Sequence, residues 1–241
     1  MRRGICLITA LALVTALLTI TLRQLEGQNT PAISPVITGR VGTLVLDAGH
    51  GGEDGGAVSV TGVPESQINL AIVLKLDDLL GFYGEAPLLL RSEDISLHDS
   101  DAVTMREKKV SDLKNRVSAI EAVRDATLLS IHQNTFPEGK YHGAQTFYAP
   151  TDGSQELAQS IQTAIQTALQ TDNSREIKKI PDTVYLMNHI TCRAVLLECG
   201  FLTNPEEEAM LRDEAYQRKL AALLASVWLT QPPVQASLTM F

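Results

Sequence analysis

The chain has 241 residues and a formal net charge of −8, with 28 acidic side chains against 20 basic ones. Its first 23 residues hold three arginines and no acidic residue, so the remainder is more acidic still. This balance argues against nucleic acid or another polyanion as a partner, and a hydrophobic content of 44% describes an ordinary globular protein. No P-loop or complete Gly-x-Gly-x-x-Gly pattern occurs, so no nucleotide cofactor is predicted.

The N-terminal segment has the pattern of an export signal. Arg2 and Arg3 precede residues 4–22, which are uncharged and about as long as a membrane-spanning helix. No convincing small-x-small cleavage motif follows, so residues 1–23 are predicted to be an uncleaved signal anchor, with a cleaved signal peptide as the alternative. A buried helix of the folded domain is disfavoured because nothing polar marks a solvent face. The two arginines place the N-terminus inside, which predicts an exported protein, membrane-anchored or secreted.

Strand and helix patterns alternate through the rest of the chain, which predicts a single α/β domain with a wound, mostly parallel sheet of about six strands and helices on both faces. A linker is predicted at 24–41, this domain at 42–231 and a loose tail at 232–241. The strands are predicted at 43–47, 86–91, 127–131, 143–148, 183–187 and 193–197, and the helices at 64–81 or 64–84, 110–123, 157–169, 205–211 and 214–229. A polar loop is predicted at 93–109.

The three cysteines do not predict a disulfide. Cys6 lies in the N-terminal apolar run, and Cys192 and Cys199 would stand roughly 23 Å apart on one extended strand at about 3.3 Å per residue. Both are therefore predicted to be reduced and buried, with Cys199 in the core.

Four polar residues stand where predicted strands end or a helix begins. His50, His132 and Glu198 each follow an apolar run, and Glu65 opens the first helix. Because ligands bind beyond the carboxyl ends of strands in open α/β sheets, these side chains are expected at one edge. Two imidazoles and a carboxylate are a catalytic zinc ligand set, and a second carboxylate would serve as general base. Glu65 is the better ligand and Glu198 the better base, although a lone histidine at a strand end is more often structural.

At these residues the chain resembles a known family, the zinc-dependent N-acetylmuramoyl-L-alanine amidases of bacterial cell walls, of the Amidase_3 type. Four blocks occur in the family's order and together cover roughly residues 42–230. They are the segments 46–52, 65–69, 130–134 and 197–204. Four blocks in order are a specific signal, unlike any one of them.

The resemblance implies that His50, Glu65 and His132 bind one Zn²⁺ per chain and that Glu198 is the catalytic residue. A zinc-activated water would then hydrolyse the amide between N-acetylmuramic acid and L-alanine. Ala48, Gln133 and Cys199 stand where the family commonly has other residues, and none of these departures removes a ligand.

The N-terminal anchor and the stretches 97–101 and 106–116 look like the sporulation, or spore-cortex, branch of the family. Members of that kind trim peptides from cortex peptidoglycan so that muramic-δ-lactam can form. Glycan strands and stem peptides are the implied partners, with the membrane through the N-terminal segment and a possible accessory protein. The resemblance also implies that the exported domain faces the cell wall or the forespore intermembrane space. Two other functions stay open, a non-catalytic peptidoglycan-binding module and a zinc peptidase or deacylase with another substrate.

Three further residues are candidate substrate contacts. Asn69 shares a helix face with Glu65, Asn134 shares a strand face with His132, and Arg116 lies in the sporulation-like stretch, although an exposed helix arginine is the simpler expectation for it.

The remaining polar residues have simpler expectations. His98, His142 and His189 are expected at the surface, and Asp47 is expected to cap a loop rather than bind metal. Asp54 lies in a glycine-rich loop without the spacing of an EF-hand calcium site.

Overall fold

Short apolar segments form the strands of a six-stranded sheet in the computed structural model, in which residues 42–231 are described. Helices connect most of these strands. The strands are β1 (Thr43–Ala48), β2 (Leu88–Leu89), β3 (Ala126–Asn134), β4 (Gln145–Tyr148), β5 (Lys178–Lys179) and β6 (Arg193–Phe201). The helices are α1 (Glu65–Phe82), α2 (Met105–Glu121), α3 (Ser154–Ala168), α4 (Tyr185–Asn188), α5 (Pro205–Arg212) and α6 (Glu214–Thr230).

The sheet has the order β2-β1-β3-β6-β4-β5. Strands β2, β1, β3 and β6 run parallel, and β4 pairs antiparallel with β6 while β5 pairs parallel with β4. The central strands β1, β3 and β6 are almost continuously buried, as expected where helices cover both faces of a sheet. The predicted mostly parallel α/β sheet of about six strands is confirmed.

Two apolar clusters occupy the two faces of the sheet. The larger joins one face to α1, α3 and α6, and α1 and α6 pack against each other. The smaller joins the other face to α2 and α4, with Ile120, Leu186 and Met187 among its buried members. Strand side chains alternate between the clusters, so that Leu128 belongs to one and Leu129 to the other.

The prediction of a fifth strand at 183–187 is wrong. Residues 185–187 belong to the helix α4, and the strand at that edge is the exposed pair Lys178–Lys179. Leu186 and Met187 are buried in the smaller cluster from a single helical turn, and so short an apolar run cannot be assigned to strand or helix by its pattern. Edge strands commonly carry lysine, which discourages pairing with another chain.

Several boundaries also differ from the predicted ones. Strands β3 and β6 continue to Asn134 and Phe201, past the predicted ends at 131 and 197, so His132 and Glu198 lie within the last residues of these strands and not beyond them. The predicted strand 86–91 is reduced to the two residues of β2. Helix α2 begins at Met105 instead of residue 110, because Thr104 and Glu107 form a capping box: Thr104 Oγ1 accepts from the Glu107 amide and the Glu107 carboxylate accepts from the Thr104 amide. The first turn of α2 is polar, so its apolar pattern starts later than the helix.

The predicted anchor, linker and tail lie outside the described residues. Within 42–231, no helix is both long enough and apolar enough to cross a membrane. The two cysteines of this part of the chain are free, Cys199 buried and Cys192 half-buried. Burial raises the pKa of Cys192 to about 11, so the thiol is protonated at neutral pH. The predicted core position of Cys199 is confirmed, whereas the prediction that Cys192 is buried is wrong.

Candidate active site

The carboxyl ends of β1, β3 and β6 bring the candidate residues to one edge of the sheet. His50 lies two residues beyond β1, and the in-register pairing of β3 with β6 places His132 directly opposite Glu198. Glu65 is the first residue of α1, whose N-cap is Pro64. The structure therefore brings together all four residues that the sequence singled out.

His50, Glu65 and His132 form a compact group. One donor atom from each lies within 4.8 Å of the others. His132 Nδ1 lies 2.9 Å from Glu65 Oε1, and His50 Nε2 lies 3.4 Å from Glu65 Oε2. The imidazole centroids of His50 and His132 are 5.1 Å apart in an edge-on arrangement. Two nitrogen donors and one carboxylate thus face a common point, and this group could hold a metal ion.

Glu65 is held as an ionised carboxylate. Its side chain is 4% exposed, and it accepts hydrogen bonds from the amides of Ala57 and Gln133 and from Asn69 Nδ2. Burial alone would raise the pKa of Glu65, but the hydrogen bond and charge of His132, with the further charge of His50, bring it down to about 2. The carboxylate is therefore charged at neutral pH, as a metal ligand must be.

His50 is fixed by an unusual backbone and by Asp54. Its φ of 62° is in the left-handed region, which is uncommon for a side chain other than glycine. Asp54 Oδ2 lies 3.0 Å from His50 Nδ1, which leaves Nε2 directed towards Glu65. The hydrogen bond from His50 keeps the pKa of Asp54 well below its usual range, so a carboxylate orients the imidazole.

Two glycines allow the imidazoles to approach the backbone closely. A Cβ on Gly49 would lie 2.2 Å from His132 Cε1, and a Cβ on Gly56 would lie 2.6 Å from His50 Cδ2 and 2.7 Å from a Glu65 oxygen. No larger residue fits at either position without displacing the group. These close approaches explain the glycine-rich segment that follows β1.

Glu198 has a different environment from Glu65. Its Oε2 is buried and makes no hydrogen bond to any described residue. Burial raises the pKa of Glu198 to about 7. The negative charge of Glu65 adds to this rise, and the charge of His132 opposes it. A carboxyl group that titrates near neutral pH can both accept and donate a proton under physiological conditions.

Arg116 is buried, which differs from the exposed helix arginine expected of it and from a substrate contact. Its side chain is 2% exposed and pairs with Asp47 and Asp112. It also donates to the carbonyls of Ala48 (3.2 Å) and His50 (2.8 Å). All of its donor nitrogens are occupied, so it fixes the segment that carries His50.

Asp47 does not cap a loop. It is 1% exposed and accepts hydrogen bonds from Arg116 and from Ser130 Oγ, the latter at 2.7 Å. Asn69 is fully buried: its Nδ2 donates to Gly49 O and Glu65 Oε1, and its Oδ1 accepts from Gln133 Nε2. Asn69 therefore holds Glu65 in place, while Asn134 is half-buried at the end of β3 and stays a candidate substrate contact.

The remaining histidines lie outside the group. His142 and His189 are exposed, as predicted, and His189 stacks on Tyr185 at 3.8 Å between ring centroids. His98 is half-buried instead of exposed, because its Nδ1 is bonded to Ser96 Oγ at 2.9 Å.

Sequence reasoning missed three residues that support the site. Asp54 orients His50 from four positions later, a spacing within the glycine-rich loop that could have indicated it. Gln133 holds Glu65 through its amide and Asn69 through its side chain. Arg91, 2% exposed, donates to the carbonyls of Ala48, Gly49 and Ser66, a role that no local pattern reveals.

The chain is similar to known proteins over most of its described residues. The sequence profile of the Amidase_3 family, described as N-acetylmuramoyl-L-alanine amidase, matches residues 44–227. The germination-specific N-acetylmuramoyl-L-alanine amidase of Bacillus subtilis is 33% identical over 179 residues, which cover 74% of this chain and 75% of that protein.

Solved structures show the same similarity. The CwlD amidase from Clostridioides difficile, in complex with the GerS lipoprotein, has a TM-score of 0.74 and 40% identity, covering 78% of this chain and 96% of that one. The catalytic domain of the CwlV amidase from Paenibacillus polymyxa has a TM-score of 0.66 and 31% identity, with the same coverages.

Proposed function

Because the chain belongs to the Amidase_3 family of N-acetylmuramoyl-L-alanine amidases, we propose that it hydrolyses the amide between N-acetylmuramic acid and L-alanine with His50, Glu65 and His132 as zinc ligands and Glu198 as catalytic base. The observation that carries this assignment is the convergence of three ligand-type side chains from three elements, with Glu198 opposite one of them in the sheet register. The enzyme is a hydrolase of peptidoglycan.

The donor set fits a zinc ion. Imidazole nitrogen and carboxylate oxygen are common zinc ligands, and three protein ligands leave a further position open. Asp54 bonded to His50 Nδ1 and the three donors to Glu65 supply the second shell that such a site needs. When bound, zinc would supply Lewis acidity and lower the pKa of a water towards 7.

Glu198 moves the proton. As a carboxylate it accepts a proton from the attacking water, and as an acid it delivers that proton to the amide nitrogen, so that the peptide departs with a free amine. The rise of its pKa to about 7 supports both halves of this cycle. Its Oε2, without a partner among the described residues, is available for the transfer.

The similar proteins support a proposal for the biological setting. One relative is germination-specific, and another similar amidase is described in complex with a lipoprotein. We assign this enzyme to spore-cortex maturation, in which removal of stem peptides prepares muramic-δ-lactam formation. It would act outside the cytoplasm, with residues 1–23 as membrane anchor and an accessory lipoprotein as a possible partner.

The test is muropeptide analysis of purified peptidoglycan incubated with the full-length chain, with added zinc and with a chelator. Zinc-dependent release of peptides that begin with L-alanine, leaving muramic acid without peptide, is expected. Cleavage within the peptide instead would identify a zinc peptidase. Binding to peptidoglycan with no cleavage, despite one zinc per chain, would favour a binding module or a missing partner. No bound zinc would overturn the ligand assignment.

A further inference from the structure

Arg175 lies beside the proposed catalytic base. It belongs to the loop between α3 and β5, and its guanidinium covers the ring of Phe201 at 4.9 Å from the centroid. Its Nη2 donates to Oε1 of Gln145, the residue that pairs with Glu198 across β4 and β6. The charges of Arg175 and Glu198 influence each other, so the cation is within electrostatic reach of the base.

The backbone around Arg175 is held firmly by side chains. Its carbonyl accepts from Gln162 Nε2 at 3.0 Å and from Gln166 Nε2 at 2.9 Å, and its amide donates to Asn173 Oδ1 at 2.9 Å. Gln145 Nε2 also donates to the carbonyl of Glu176 at 2.7 Å. The position of the guanidinium is thus set in advance, as expected for a group that recognises a ligand.

Arg175 carries a charge that its described neighbours do not pair directly. Among residues 42–231, no carboxylate forms an ion pair with it, and its Nε is buried without an acceptor. Arg116, by contrast, is paired with both Asp47 and Asp112. Burial lowers the pKa of Arg175, and the charges of Glu207 and Glu198, neither of which forms a direct ion pair with it, offset this only in part. A partly buried cation without a direct ion pair favours a ligand that supplies an anionic group.

The proposed chemistry places an anionic group on this side of the site. A base that protonates the departing amine must face that amine, so the leaving peptide lies beside Glu198. In peptidoglycan the stem peptide continues from L-alanine to a γ-linked D-glutamate, whose α-carboxyl group is either free or amidated. The planar fork of an arginine matches a carboxylate and gives bidentate, charge-assisted hydrogen bonds.

We propose that Arg175 binds the α-carboxylate of the second stem-peptide residue and thereby makes the enzyme selective for unamidated stem peptides. The inference rests on the proposed function, which supplies the substrate. Arg175 would then determine substrate specificity, a role distinct from that of the three proposed zinc ligands and from that of the base Glu198.

The experiment compares the full-length wild type with Arg175→Gln and Arg175→Lys. Each is assayed on muropeptides with a free or an amidated D-glutamate α-carboxyl group. Binding of the dipeptide L-alanyl-γ-D-glutamate and of its α-carboxamide is measured by calorimetry, which needs no turnover. Arg218→Gln is the matched control, because Arg218 is 60% exposed at its side chain and pairs only with Glu214 among the described residues.

The wild type is expected to prefer the carboxylate substrate about tenfold or more in kcat/KM, the effect of a charge-assisted hydrogen bond. Arg175→Gln should abolish this preference mainly through KM, Arg175→Lys should retain part of it, and Arg218→Gln should keep it all. The dipeptide should bind more tightly than its amide only where the arginine is present.

Two results would overturn the inference. One is an Arg175→Gln variant that keeps the wild-type preference, even with a lower kcat on both substrates, since that would make Arg175 a positioning residue for Glu198. The other is a wild type that does not distinguish carboxylate from carboxamide in cleavage or in binding. Selective dipeptide binding without any amide cleavage would instead contradict the proposed function and leave the carboxylate site standing.

Discussion

At the residue scale, two glutamates of one site have opposite protonation behaviour because their surroundings differ. Glu65 is surrounded by three hydrogen-bond donors and two imidazoles, and its pKa falls to about 2. Glu198 is buried with one oxygen that has no hydrogen-bond partner among residues 42–231, and its pKa rises to about 7. A permanently charged ligand and a proton-transferring base are thus distinguished by environment alone.

Because Glu198 is the proposed proton-transferring base and Glu65 a proposed metal ligand, Glu198→Gln should reduce turnover without loss of the metal. This variant keeps the shape of the side chain but cannot accept a proton, so kcat should fall about 10²- to 10⁴-fold. Zinc content and the thermal midpoint should stay near those of the wild type, measured by metal analysis and calorimetry. Glu206→Gln makes the same change at an exposed glutamate and should alter nothing. Full activity in Glu198→Gln would refute its role.

The close approach at Gly49 predicts a loss of metal in Gly49→Ala. The added Cβ would lie 2.2 Å from His132 Cε1, so either the imidazole or the backbone must move. We expect substoichiometric zinc, measured by metal analysis of the purified protein. Gly81→Ala is the control, since a Cβ there meets nothing within 4 Å and alanine favours the helix by up to about 1 kcal/mol. Equal zinc content in both variants would contradict the prediction.

At the scale of elements, the central strands could be predicted and the buried arginines could not. Strands β1, β3 and β6 contain long apolar runs, so the polar residues that follow these runs, His50, His132 and Glu198, could be singled out, although β3 and β6 continue beyond the apolar runs. Glu65 follows from its place at the start of α1. The family resemblance, not the spacing, made the ligand assignment specific.

What escaped prediction depends on contacts between distant segments. Arg116 is 69 positions from Asp47, and only the packing of α2 against the sheet shows that the arginine is buried. The pattern of residues 183–187 predicts a strand where the structure has the short helix α4, because four residues are too few to show a helical periodicity of apolar positions. The local sequence does not distinguish a polar side chain that is exposed from one that is buried and paired.

The packing of α2 onto β1 depends on the pairing of Arg116 with Asp47. Arg116→Met should lower the free energy of unfolding by about 3–5 kcal/mol, since it leaves Asp47 buried without its partner. Urea denaturation measures this change. Arg218→Met removes an exposed ion pair instead and should cost less than about 1 kcal/mol. Equal, small effects of the two substitutions would show that the buried pair contributes little.

At the scale of the whole molecule, residues 1–23 should determine whether the chain is recovered with the membrane. If they are an uncleaved anchor, the full-length chain should be recovered in the membrane fraction with an intact N-terminus. A variant without residues 1–23 should be soluble and unfold at a similar temperature. A variant without residues 232–241 is the control and should stay in the membrane fraction. A soluble, shortened product of the full-length gene would establish the alternative, a cleaved signal peptide.

Acid should destabilise the fold through Asp47. Burial alone would raise the pKa of Asp47, but the charge of Arg116, with His132 and the Ser130 hydrogen bond, lowers it below the model-compound value of 3.8. The folded state therefore binds this proton less readily than the unfolded chain. The stabilisation is complete above the unfolded pKa and is lost as the pH falls from there through the lower folded pKa.

Urea denaturation between pH 6 and pH 3 measures this loss. The free energy of unfolding of the wild type should fall with pH below about 4, because the unfolded chain binds a proton at Asp47 there while the folded state, in which Asp47 is paired with Arg116, does not. Asp47→Asn should be less stable at pH 6, since Arg116 then keeps only Asp112 as an anionic partner, and its stability should change less with pH. Parallel pH profiles for the two proteins would mean that Asp47 does not govern the acid sensitivity, and that other carboxylates link folding to proton binding.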